Sequence, residues 1–148
     1  MAFTFAQFAN GGDGDCYIEK RLPATSGYAL YVGAALKISA AALIYAETAN
    51  NVYAISQVSA ASSVVTASYY PEVIPVNSNQ VWKGTVNSAA TAAFLQGVQT
   101  ANLEAAATCY GTAIDGNDAA GGKVYIHSFT SAASTTVYVR FPDAPVQS

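Results

Sequence analysis

KVYIHSF, residues 123–129, and TVYVRF, residues 136–141, decide the fold of this chain. In the first, Val124, Ile126 and Ser128 alternate with Tyr125, His127 and Phe129. In the second, Val137, Val139 and Phe141 alternate with Tyr138 and Arg140. A period of two carried by β-branched and aromatic residues marks half-buried strands, because successive side chains on a strand point to opposite faces. The six residues TSAAST between them suit a long hairpin connection. The pair is therefore expected to be antiparallel, with Val124, Ile126, Val137, Val139 and Phe141 toward the core.

Working outward, the same signature recurs in short runs between Gly, Pro, Asn and Ser punctuation: VYAISQ (52–57), VVTAS (64–68), VIPV (73–76), VWKGTV (81–86) and CYGTAI (109–114). Pro71 and Pro75 cannot donate to a ladder, which predicts an edge or bulged strand there. Two Ala-rich stretches raise the helical alternative, since Ala is the best helix former. In residues 34–46, Gly33, Ser39 and the β-prone LIY ending argue for short apolar segments. Residues 91–108 suit a short helix and a bent strand equally. The expected class is all-β, a β-sandwich or small barrel with an extended N-terminal arm and at most one or two short helices.

The chain has 148 residues, 52% hydrophobic and only 10% charged, with a formal net charge of -3. This excludes intrinsic disorder and offers no basic field for nucleic acid or an anionic membrane. The longest apolar stretch, residues 29–46, is interrupted by Lys37 and Ser39, so no membrane span is expected. The start carries acids and glycines where a secretory signal needs a basic and then an apolar region. Cys16 and Cys109 stand apart without a C-x-x-C partner, which predicts two thiols more readily than a disulfide or zinc site.

Residues 1–15 read as an arm and hinge, and residues 16–148 as a single β-rich domain. Phe3, Phe5 and Phe8 precede the segment GGDGD, whose glycines favour bending. Fully extended, fifteen residues span roughly 45 to 50 Å, enough to reach a neighbouring subunit. The alternative is that the three rings close the domain's own core.

No catalytic constellation emerges. His127 is the one histidine, without a partner base or nucleophile. The acids are scattered, and the turn DGND at 115–118 places Ala119 and Ile126 where a calcium loop needs oxygen ligands. Hence no catalytic residue, metal or cofactor is expected. Trp82 is a candidate stacking platform or, more commonly for its type, a core or interface anchor. A surface covered mainly by Ala, Ser, Thr, Asn, Gln and Tyr suits a subunit packed in an assembly, and an uncharged β-edge invites strand addition.

The order GYALYVGAALKISAAALIYA, NNVYAISQ, EVIPVNSNQVWKGTV, CYGTAIDGNDAAGGKVYIHSF and TTVYVRF resembles the small capsid cement or decoration proteins of tailed bacteriophages, over residues 17–141. In them a segment near VIPV precedes a strand like VWKGTV, and a closing pair ends in VRF. The Phe-bearing arm and the Ala-rich residues 88–108 depart from that pattern. The resemblance implies a non-enzymatic protein made in the bacterial host cytoplasm that binds the outer capsid surface of the virion. Its partners would be the major capsid protein and neighbouring copies of itself, a trimer before a dimer. Phe3, Phe5, Phe8 and Trp82 are the candidate contacts. The competing expectation is a glycan- or receptor-binding β-sandwich of a virion fibre or tail.

Overall fold

A computed structural model of the chain describes residues 3–10, 15–47, 51–87, 100–104, 111–115, 124–129, 131 and 134–142. Within them run nine strands: β1 (Thr4–Phe8), β2 (Ala35–Ser39), β3 (Ala42–Tyr45), β4 (Ala54–Ser56), β5 (Val73–Pro75), β6 (Gln80–Thr85), β7 (Thr100–Ala101), β8 (Val124–Phe129) and β9 (Thr136–Arg140). They form two antiparallel sheets, ordered β1-β6-β9-β8-β7 and β3-β2-β4-β5. No helix occurs among the described residues. The all-β expectation holds, and the arrangement is that of a β-sandwich.

The alternation read from the closing strands sets the inner face of the five-stranded sheet. Phe5, Trp82, Val139 and Ile126 are successive cross-strand partners from β1 to β8. Trp82, Val139, Val137, Val124 and Phe141 are buried, with Ile126 packed against them. From the facing sheet, the partner row Ala35, Ile55 and Ile74 enters the same core. The alternating row of that second sheet, Leu36 with Tyr45 and Ala54, joins Leu22, Leu30 and Val65 in another cluster on its outer side. Around β4, β5 and the start of β2 the four-stranded sheet is thus buried on both faces, with irregular segments from residues 22–34 and 57–70 as a third layer, while the tip of the β2–β3 hairpin is only half covered. Strands covered on both sides have no reason to alternate, and the half-covered tip carries mostly apolar side chains as well, so ALKISAAALIYA reads as almost unbroken apolar sequence.

Four expectations are refined. The period of two in β8 breaks at a bulge between Ile126 and Ser128, so Phe129 turns to the core while Ser128 is exposed. Residues 64–68 form turns instead of a strand, with Val65 buried and Val64 exposed. Residues 34–46 are a tight hairpin of β2 and β3. Of residues 91–108, only 100–104 are described, and they begin with β7. Pro75 does lie in an edge strand, β5.

Both edges of the four-stranded sheet are closed by the chain itself. Glu19 and Val73 exchange backbone bonds of 2.7 and 2.9 Å along β5. Along β3, Leu43 donates to Pro23 and accepts from Thr25, both at 2.8 Å.

Candidate interaction surface

The extended N-terminal segment lies along its own sheet instead of reaching outward. β1 pairs antiparallel with β6, anchored at its ends by Phe3 N donating to Gly33 O at 3.0 Å and Ala9 N to Asn79 O at 2.6 Å. Phe3 is 3% exposed and meets Phe141 edge-on at 5.2 Å between ring centroids. It sits over Gly84, where a Cβ would fall 2.7 Å from its ring. Phe5 stacks edge-on against Trp82 at 5.7 Å and Phe8 at 5.0 Å. Trp82 is 1% exposed, and its indole N–H donates to Gln80 Oε1 at 3.3 Å. Phe3 and Trp82 are therefore core residues, unavailable to a neighbour or a sugar in the folded protein. Phe5 and Phe8 are half-buried, and residues 11–14 of the expected hinge lie outside the described residues.

His127 is exposed on β8 beside Ser128 and Tyr138, in a shallow depression that also touches Ala6 and Gln7. Among the described residues no three His, Cys, Asp or Glu side chains are grouped as metal ligands. Asp115 is described, but the rest of the expected calcium turn is not. Cys16 is a half-buried free thiol whose pKa is raised, first by burial and then by the charge of Asp15. It is a poor nucleophile at neutral pH. Cys109 lies outside the described residues.

The more informative surface is one the candidate residues missed. Residues 22–36 and 48–71 contain no Asp, Glu, Lys, Arg or His, and the fold brings their loops together. Leu30 and Ala60 exchange backbone bonds of 2.8 and 3.0 Å, Gly27 N donates to Val65 O at 3.0 Å, and Ala24 N donates to Tyr69 O at 2.8 Å. Val32 N donates to Ser59 Oγ at 3.0 Å. Leu22, Leu30 and Val65 point inward to seal the sheet, leaving Tyr28, Tyr31, Val32, Val64 and Tyr70 outward, each 42% to 55% exposed. A shallow groove between Tyr31 and the Ser59–Ala60–Ala61–Ser62 stretch crosses this face. The outer face of the five-stranded sheet differs in carrying charge, exposed Lys83 with Arg140 at its margin, beside exposed His127 and Tyr125. The absence of charge over two long runs was readable in the sequence; their apposition required the fold.

The loop layer is fastened where charge does appear. Tyr53 Oη donates to Glu19 Oε1 at 2.5 Å and accepts from Arg21 Nη2 at 2.9 Å, while Arg21 Nε lies 3.5 Å from Glu19. Burial, then the bond to Glu19, raises the Tyr53 pKa.

Fold and surface together define an all-β sandwich with an aromatic loop face free of charge along residues 22–36 and 51–71 and a sheet face that carries charge. In comparisons with known proteins, the chain matches no family model, no curated protein and no solved structure.

Proposed function

We propose that this protein is a non-enzymatic structural subunit that binds the outer surface of an assembled viral capsid and cements it, with the major capsid protein and neighbouring copies as partners. It is made in the bacterial host cytoplasm and resides on the virion. The observation that supports this reading most is the loop face of Tyr28, Tyr31, Val32, Val64 and Tyr70, flanked by no charged side chain in residues 22–36 or 48–71. The cores of protein interfaces are depleted in charge and enriched in aromatics, and Tyr offers large contact area with few rotors to order. Covering such a face on a rigid shell joins neighbouring capsid subunits without any chemical step. The segment order that resembles decoration proteins supports the same reading.

The test uses the purified chain with shells assembled from the major capsid protein encoded nearest its gene. Cosedimentation with assembled shells, weak binding to the unassembled subunit, and shells that withstand a higher temperature when decorated are the expected results. Binding to isolated sugars by the monomer, with no affinity for shells, would favour the glycan-binding alternative. For that alternative Tyr28 and Tyr31 are the stacking candidates, since Trp82 is enclosed.

A further inference from the structure

The larger sheet carries a charge pattern opposite to that of the chain. Its strands TFAQF, QVWKGT, TA, VYIHSF and TVYVR contain no acid, although the chain has nine Asp and Glu against six Lys and Arg. Cross-strand register sets the outward rows. Thr4, Lys83, Tyr138 and Ser128 are successive partners, while Gln7 pairs with Val81, and Tyr125 with Arg140, in the row beside them. Lys83 and Arg140 are thus diagonal neighbours across β6 and β9, about 7 to 8 Å apart. Neither meets a carboxylate among the described residues: the ion pair there joins Arg21 to Glu19, and Arg140 donates to Ser78 O at 3.4 Å. The register shifts between Phe5 and Gln7 in β1 and between Ile126 and Ser128 in β8. Both extra residues, Ala6 and His127, border one shallow depression with Gln7, Ser128 and Tyr138. Its floor is Val81, which points outward yet is 1% exposed. Bulges re-aim side chains and recur beside functional sites.

We propose that this depression, with the cations beside it, binds an acidic saccharide, a sugar polymer bearing carboxylates. The occupant follows from charge and from the lining. Lys83 and Arg140 complement an anionic group, and no acid on the strands repels it. The side chains of Gln7, Ser128, His127 and Tyr138 offer both donors and acceptors, which suits sugar hydroxyls, since these do both. The rings of Tyr138 and of Tyr125, 44% exposed, add flat apolar surface with a polar tip. A protein partner calls for a different lining, because interface cores are apolar and poor in charge, as the loop face is. The depression crosses from β1 to β8, roughly 14 Å, the length of a short stretch of polymer and not of one small ion. It lies on the side of the sandwich away from the loop layer, so a copy docked through its loops still presents it outward, and the proposal stands independently of the capsid reading.

Native electrophoresis of the full chain through gels containing polygalacturonate or neutral dextran tests this, with mobility compared with a non-binding acidic protein. The uronate gel should slow the chain despite its net charge of -3, and the dextran gel should not. Added salt should restore the mobility, since exposed cations are screened. Lys83→Glu, at an exposed position, should weaken retention by roughly tenfold or more, because it replaces attraction with repulsion. Gln7→Ala changes no charge and should weaken it several-fold through a lost hydrogen bond, whereas Tyr28→Ala on the loop face should leave it unchanged. Equal mobility in the two gels would overturn the proposal. So would retention that survives Lys83→Glu, because the cations of this face would then not be what the polymer meets.

Discussion

Tyr53 shows how much one side chain holds in a fold with few charges. Its hydroxyl joins Glu19 and Arg21, tying the strap of residues 15–25 to β4's neighbourhood. Replacing Tyr53 with Phe removes the donor from a carboxylate that is largely enclosed, and should cost about 1 to 3 kcal/mol in denaturant unfolding. The same residue makes a pH prediction. Because folding raises the Tyr53 pKa above its ordinary 10.0, the unfolded chain ionises first. Its contribution is full below that pH and is lost as pH rises through the folded value. The Tyr53→Phe variant should therefore lose less stability than wild type between neutral and strongly alkaline pH; equal losses would show that Tyr53 contributes nothing to the alkaline limb.

Phe3 and Gly84 make a second case at this scale. Gly84 leaves room on β6 for the Phe3 ring, and a methyl there would meet it at 2.7 Å. Gly84→Ala should displace the ring and destabilise by about 1 to 3 kcal/mol, and Phe3→Ala by about 3 to 5 kcal/mol. Thermal unfolding of both variants checks this, and wild-type melting temperatures would show that the N-terminal segment contributes little to the core. The sequence held Phe3 and Gly84 in plain view. Their pairing was not legible, because it depends on β1 lying beside a strand some eighty positions away.

At the scale of elements, legibility followed the solvent. β8 and β9 have one wet face and one dry face, so their alternation could be read directly, down to the buried Val137 and Val139. β2 is buried on both faces only at Ala35 and Leu36; beyond them one face of the β2–β3 hairpin, Lys37, Ser39, Ala42 and Ile44, is half-buried or exposed, yet its mostly apolar side chains showed no such period. The hairpin's turn was hidden for another reason: Ala40 and Ala41 occupy the left-handed region, with φ of 50° and 60°, where Asn and Gly are the usual signal. Alanine at both central positions is strained. Replacing the pair with Asn-Gly should stabilise the protein by about 1 to 2 kcal/mol by relieving that strain. A shift of the urea midpoint to higher concentration at unchanged slope is the expected readout, and a lower midpoint would mean the two methyls make contacts that outweigh the strain. Gly111 is the opposite situation. Its φ is +72° and a Cβ would lie 2.6 Å from the Ala35 carbonyl, so substitution there meets backbone that cannot yield.

At the scale of the whole molecule, the sandwich separates two surfaces of different chemistry. The loop layer offers tyrosines and small polar residues without charge, whereas the outer face of the five-stranded sheet carries Lys83 and His127 beside its exposed Tyr125. Composition pointed to an assembly surface, and the sequence left the N-terminal aromatics open between a hook on a glycine-rich hinge and a place in the domain's own core. Strand pairing to β6 and burial against Phe141 gave those rings an intramolecular destination. The uncharged surface is built from loops within residues 22–34 and 57–71, which no local pattern brings together.

Hydrogen–deuterium exchange of the protein, free and bound to assembled shells, tests this account most directly. The uncharged loop face as the docking surface predicts slowed exchange in residues 26–33 and 58–70 on binding, with β8 and β9 unchanged. The contacts should persist across a wide range of salt, because no charge in those loops is available to screen. Protection confined to β8 and β9, with the loops exchanging as freely as in the unbound protein, would contradict it.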